Sequence, residues 1–262
     1  LPAPAPPGQG IFGFQRGAAA GQCLHEIIEH IDLQALDEPA AEELVRVLLR
    51  RCGLADPAAH PGIVDPVADV LDNLRSLRAA HVRCGGPTIG ELCRGSKQAE
   101  WQFLLPTQAE LRLLAQALAR HGGDVARTYA ARLETLSQTT LDGFLVGFVD
   151  LIAEHEGRYW VLDWKSNHLG PQASDYGPDA VLQAMMDHDY VLQYHLYVLA
   201  LHRHLRVRLP GYDAGRHLGG VCYAFLRGAQ AGSTNGMFFD QPTPDLVHAM
   251  DQWAFAPGRR SQ

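Results

Sequence analysis

Lysine is scarce in this chain: among its 22 Lys and Arg residues only Lys97 and Lys165 are lysines. Lys165 closes the triplet Asp163-Trp164-Lys165, and Asp150 lies thirteen residues before Asp163. The segment between the two acids holds Leu151-Ile152, then His155-Glu156-Gly157-Arg158, then Tyr159-Trp160-Val161-Leu162. Short bulky runs around such a turn predict a β-hairpin. A two-residue turn at Glu156-Gly157 would set Asp150 directly opposite Asp163. Two like charges facing each other among Phe148, Ile152 and Val161 cost stability unless something offsets them. A divalent cation does so, since hard oxygen donors from adjacent strands suit Mg²⁺ or Mn²⁺. By the two-residue strand period Lys165 shares the face of Asp163 and adds a positive group. The chemistry such a set can perform is phosphodiester hydrolysis: the cation lowers the pKa of a bound water and neutralises a phosphate oxygen, and the lysine orients or deprotonates that water. Arginine salt bridges or a wet sheet edge would be the purely structural explanation of the same acids.

Other residues could join this chemistry. Gln193 and Tyr197 are four apart on a helical segment, with Tyr190 three residues before Gln193, so a polar and aromatic strip faces one way. It could meet the catalytic groups or a DNA strand, or line the core. His25 and Glu29 share a helix face, and Glu29 could orient His25 from behind. The run His25-Glu-Ile-Ile-Glu29-His30 is not a zinc-protease HExxH, because Glu29 holds the fifth position and His30 points about a hundred degrees away. Glu100, in the expected strand Ala99 to Phe103, is a further acidic candidate. His202, Arg203, His204, Arg206 and Arg208 form the densest basic cluster. Arg203, Arg206 and Arg208 could hold DNA phosphates, or simply complement a helix C-terminus; Arg16 and Arg94 are weaker versions of that idea.

The elements that must position these groups follow from composition and periodicity. A chain of 262 residues, 47% hydrophobic and 19% charged, is globular and fits one large domain. Its net charge of -7 repels polyanions overall, so any nucleic-acid contact must be local. The proline-rich residues 1–10 read as an extended linker, leaving 11–262 as the folded domain. Helices are expected at 21–32, 38–52, 62–82, 107–121, from about 178 to 206 and near 244–254, with a strand at 221–226. The first half is thus mostly helical. Neither face of the hairpin alternates with polar residues, so both faces should be covered, which makes the class α/β. The five cysteines form no zinc or disulfide pattern and read as reduced structural thiols. No membrane-length apolar run and no signal peptide are visible, so the expected setting is cytoplasmic and membrane-free. No GxxxxGK[ST] phosphate loop occurs, so no helicase motor is encoded in these residues.

Taken together, Gly147-Phe-Val-Asp150, Asp163-Trp-Lys165-Ser-Asn and Tyr190-Val-Leu-Gln193-Tyr-His-Leu-Tyr197 resemble the RecB-type nuclease domains of the PD-(D/E)XK superfamily. The likeness runs from Phe14-Gln-Arg-Gly17 through Leu24-His25 to Phe225-Leu-Arg-Gly228. Val149 stands where the superfamily's name has proline. The resemblance implies a restriction-endonuclease-like core, a mixed central sheet flanked by helices. It implies that His25, Asp150, Asp163 and the Trp164 carbonyl bind the metal, that Lys165 is the catalytic lysine, and that Gln193 and Tyr197 complete the site. It also implies Mg²⁺-dependent DNA cleavage of the exodeoxyribonuclease V type leaving 5′-phosphates, with Mn²⁺ able to substitute. No cysteine set for an iron-sulfur cluster is present. The implied partners are single-stranded DNA ends, a helicase portion of the parent chain and RecC- and RecD-like subunits. The competing expectation is a catalytically silent module that binds DNA or a docking partner.

Overall fold

Apolar residues spaced three and four apart, Leu24, Ile27 and Ile28 among them, wind the N-terminal segment into a helix that buries one face. In this computed structural model residues 8–59, 64–135 and 140–254 are described. Four helices come first: α1 (Ala18–His30), α2 (Pro39–Arg51), α3 (Pro66–Arg78) and the single turn α4 (Ile89–Leu92). Their starts are set by local chemistry. Pro39 and Pro66 open α2 and α3, the Asp65 carboxylate accepts from Val67 and Ala68, and Thr88 and Glu91 form a reciprocal capping box on α4. Strand β1 (Lys97–Glu110) follows, then α5 (Leu111–His121), α6 (Asp124–Thr135), β2 (Thr140–His155) and β3 (Arg158–Lys165). The remainder comprises α7 (Pro178–Asp187), α8 (Tyr190–Arg208), the short α9 (Ala214–His217), β4 (Leu218–Phe225), β5 (Met237–Asp240) and α10 (Pro244–Trp253).

The five strands form one mixed sheet in the order β1-β2-β3-β4-β5. Strands β1, β2 and β3 are antiparallel neighbours, β3 and β4 run parallel, and β5 is antiparallel to β4. Helices flank this sheet, which is the α/β, restriction-endonuclease-like class the sequence predicts. Strand β4 is buried at every residue, as a central parallel strand must be. Among the described residues no helix is long and apolar enough to cross a membrane.

Several expectations need correction. The segment 107–121 is not one helix: β1 continues through Glu110 and α5 starts at Leu111. The long helix from 178 to 206 is two, broken where Asp189 adopts φ 55°. Helix α3 is shorter than 62–82, and residues 62 and 63 lie outside the described residues. Only the inner half of the hairpin is covered on both faces. In its outer half Phe144, Val146 and Phe148 are exposed, together with Leu104 of β1. Of the expected linker, residues 1–7 lie outside the described residues, and the Gly8 N–H already donates to the Pro171 carbonyl at 2.7 Å.

One buried arginine ties together the parts that carry the site. Arg227, 2% exposed, donates to the carbonyls of Ile11, Phe14 and Gln15 at 2.8, 2.9 and 2.8 Å, and weakly to that of Ser166 at 3.5 Å. It thus pins the segment entering α1 to the end of β4 and to the residue after Lys165. Helix α1 then approaches that segment closely: a Cβ on Gly21 would sit 2.5 Å from Ser166 Oγ. A larger residue would have to displace the Ser166 hydroxyl, and His25, one turn onward, is carried to the same place.

Candidate active site

The hairpin forms as the sequence predicts. Glu156 and Gly157 both have positive φ, 52° and 72°, which is the two-residue turn whose twist matches antiparallel strands. Pairing runs from His155↔Arg158 to Leu151↔Leu162, and one step further the ladder stops. Asp150 and Asp163 are that next step. Instead of continuing the ladder, the Asp150 carboxylate accepts the Trp164 N–H at 2.7 Å, so the side chain fills the place a strand carbonyl would take. The strands part at the two acids.

Asp163 is 2% exposed and its carboxyl is raised to about 7, first by burial and then by the Asp150 charge, against the opposing pull of Lys165. Lys165 Nζ lies 2.5 Å from Asp163 Oδ2, so the ammonium pairs directly with the buried carboxyl. The ammonium also donates to Gln193 Oε1 at 3.2 Å and sits over the rings of Tyr190 and Tyr223, 4.0 and 5.0 Å from their centroids. Gln193 Oε1 also accepts from the Tyr223 hydroxyl at 3.1 Å, and its Nε2 donates to the Tyr197 hydroxyl at 2.8 Å. Tyr190 donates to Asn167 Oδ1 at 3.2 Å. Gln193, Tyr197 and Tyr190 therefore come together around Lys165. Burial pushes the Tyr197 phenol up, helped by the charges of Asp163 and Asp150.

His25 Nδ1 stands 3.7 Å from Asp150 Oδ2. Its pKa is lowered, chiefly by burial and further by Lys165, while Asp150 and a hydrogen bond to the Trp164 backbone oppose the shift. The neutral imidazole is the form that ligates metals. Glu100 occupies the β1 position across from Asp150, between the pairs Ala99↔Leu151 and Trp101↔Val149, and holds a left-handed φ of 47°. Its carboxyl is raised by burial, then by Asp150 and Glu29. Glu29 and Glu100 thus both belong electrostatically to the acid cluster.

The donor types here, two carboxylates, an imidazole and a backbone carbonyl, are those a hard divalent cation takes, and the charges of Asp150 and Glu100 around the buried Asp163 exceed what the one lysine offsets. Among the described residues no three His, Cys, Asp or Glu side chains converge tightly enough to hold an ion on their own. That is consistent with Asp150 being occupied by the Trp164 N–H and Asp163 by Lys165.

The basic cluster divides. Arg203 and Arg206 both bind Asp251 of α10, at 2.7 and 2.5 Å, and so serve packing between helices. Arg208 lies beyond them on the same helix. Tyr223 is the residue that sequence reasoning missed: it pairs with Asp163 across β3 and β4. On an apolar strand it reads as core, and only the register reveals its place under the lysine.

Comparison with known proteins shows the family. The PD-(D/E)XK nuclease superfamily model matches residues 8–254. The RecBCD enzyme subunit RecB of Escherichia coli (strain K12) is 35% identical over 243 residues, which is 91% of this chain and 19% of that protein. RecB of Mycobacterium tuberculosis (strain ATCC 25618 / H37Rv) is 33% identical over 279 residues, covering 94% of this chain and 25% of that protein. RecB of Haemophilus influenzae (strain ATCC 51907 / DSM 11121 / KW20 / Rd) is 40% identical over 118 residues, 45% of this chain and 10% of that protein. The chain thus spans a quarter or less of the length of these relatives.

Proposed function

This chain belongs to the PD-(D/E)XK nuclease superfamily, and from that premise we propose that it hydrolyses DNA phosphodiester bonds, with Mg²⁺ as its cofactor, as the nuclease domain of a RecB-type helicase-nuclease. The observation that carries this reading is the meeting of Asp150, Asp163 and Lys165 at the point where β2 and β3 part, with the Asp163 carboxyl buried between the Asp150 charge and the Lys165 ammonium. Asp150, Asp163, His25 and the Trp164 carbonyl would hold the cation, and Mn²⁺ has the same ligand preference. When bound, the ion supplies charge neutralisation at a phosphate oxygen and acidifies water.

The chain's own residues do the rest. Lys165, held by Gln193 and the two tyrosine rings, presents its ammonium to the phosphate and steadies the charge that grows there. Gln193 and Tyr197 keep that lysine aimed, since each uses its hydrogen bonds on the same network. Glu100 and Glu29 add negative potential at the mouth of the site and so raise local cation occupancy. The natural substrate in this reading is a single-stranded DNA end, delivered by a helicase portion of the parent chain with RecC- and RecD-like subunits.

The test is degradation of linear single-stranded DNA by the chain in Mg²⁺, in Mn²⁺ and in EDTA, beside Lys165→Ala. Cleavage that requires both metal and Lys165 supports the nuclease. DNA binding with no metal-dependent cleavage would favour a silent binding module instead.

A further inference from the structure

Away from the acid cluster, a cavity of about 270 Å³ opens between β1 and the last two turns of α8. Its lining mixes apolar Trp101, Ile152, Leu201, Leu205 and Leu209 with polar Gln98 and Tyr159. Its rim carries Lys97, His204 and Arg208, and the only carboxylate among its lining residues is Glu154. The largely buried Trp101 ring meets the His204 ring edge-on, with centroids 5.4 Å apart. This composition is unusual for a chain of net charge -7. Here one of its two lysines and an arginine converge on the same opening.

The contrast within α8 sharpens the point. Arg203 and Arg206 are both consumed by Asp251, whereas neither Lys97 nor Arg208 forms an ion pair among the described residues. A mixed apolar and hydrogen-bonding lining beneath unspent cations matches a ligand that pairs a flat ring with polar edges and an anionic group. A nucleotide within a single strand has that form: the base enters the cavity and the backbone phosphate meets the cations. Position agrees with this ligand. Helix α8 runs from Gln193 and Tyr197, beside Lys165, to Arg208, about 16 Å beyond Tyr197 at 1.5 Å per residue.

We propose that this cavity is a nucleotide subsite that holds the DNA strand at a distance from the scissile phosphate, Lys97 and Arg208 taking a phosphate and the lining around Trp101 taking a base. The proposal rests on the nuclease reading and names where its substrate is gripped.

The experiment measures binding of 5′-fluorescein-labelled (dT)12 to the chain by anisotropy in EDTA, over salt from about 50 to 200 mM. Each phosphate contact contributes roughly 0.7 to the slope of log K against log salt for a single strand. The double variant Lys97→Ala/Arg208→Ala is expected to shrink the slope by about 0.7 to 1.4. A control that removes two exposed cations elsewhere, Arg120→Ala/Arg216→Ala, should leave it unchanged. An equal slope for wild type and Lys97→Ala/Arg208→Ala overturns the subsite, and so does an equal loss in both double variants. Either result would leave metal-dependent cleavage by the wild type, and with it the nuclease reading, standing. Wild-type protein that neither binds nor cleaves the strand would overturn both.

Discussion

Strand β2 breaks the inside–outside rule twice, in opposite senses. Near its inner end it helps bury charge: Asp150 faces the 2%-exposed Asp163 beside Lys165. In its outer half it exposes apolar surface, with Phe144, Val146 and Phe148 at 67, 57 and 51%. Both anomalies have one origin. The β2–β3 ladder ends at Leu151↔Leu162, while β1 stays paired with β2 as far as Glu110↔Thr140. Beyond the split the β1–β2 ribbon lies against helices on one side only, where Phe103 meets Tyr197 at 5.7 Å. At the split itself, backbone groups released from the ladder become available to side chains, and Asp150 takes the Trp164 N–H. Parting the sheet costs pairing and apolar burial, and it makes room for a charged site among strands.

The largest effect should come from the buried charges. Asp163→Ala or Lys165→Ala is expected to lower cleavage of single-stranded DNA on the order of 10²–10³-fold or more while the fold persists, because each removes a group that acts on developing charge. Turnover alongside circular dichroism checks this. Near-wild-type turnover by either variant would move the chemistry elsewhere.

The same charges should register in stability. Asp163 in the fold is raised to about 7, well above its value in an unfolded chain, so the native state holds that proton more tightly. Its contribution is fully present at low pH and is lost as pH rises from about 4 through about 7. In EDTA the chain should therefore lose on the order of 1–3 kcal/mol over that window from this group. Asp163→Asn should flatten that part of the profile, as read by urea unfolding at a series of pH values. A variant profile parallel to wild type would mean that Asp163 is not the buried titrating group.

A smaller effect concerns the partner of the lysine. Tyr223→Phe keeps the ring under Lys165 but loses the hydroxyl that donates to Gln193 Oε1. Losing that hydrogen bond is worth about 1 kcal/mol, hence a roughly five-fold drop in kcat. KM should hold, since the hydroxyl faces the lysine network. A change confined to KM would reassign Tyr223 to substrate binding.

How legible this arrangement is from sequence depends on the range of the contacts. The turn at Glu156-Gly157 and the opposition of Asp150 and Asp163 follow from short-range rules and hold in the structure, whereas the groups around Lys165 come from 25 to 58 residues away, and Tyr223 among them is legible only from the strand register. The break before α8 does not follow from such rules either: Asp189 is held by the Tyr129 hydroxyl at 2.9 Å and by Arg132 at 3.0 Å, from sixty and fifty-seven residues away. Nor does the fate of Arg203 and Arg206, decided by Asp251 on a later helix. Strand β5 has only four residues, too few for a periodic signal, whereas α6 does place Ala126, Tyr129, Ala130 and Leu133 three and four apart and is legible in the sequence, although none of the expected helices covers it. The hairpin's hydrophobic pattern implied cover on both faces because pattern records residue type and not which neighbour is present.

That last failure yields the smallest prediction and the sharpest check on the comparison. If the outer face of the ribbon contributes nothing to the fold, replacing Phe144 and Phe148 with serine removes apolar surface that was already in water. The unfolding free energy should stay within about 0.5 kcal/mol of wild type, the ordinary range for surface substitutions. Serine is a weaker strand former than phenylalanine, so any residual loss should be small and additive between the two positions. Urea midpoints for both single variants and the double variant test this directly. A loss well above that range, or strong coupling between the two sites, would mean that this face packs against the rest of the chain in solution, and the split sheet would no longer account for both anomalies together.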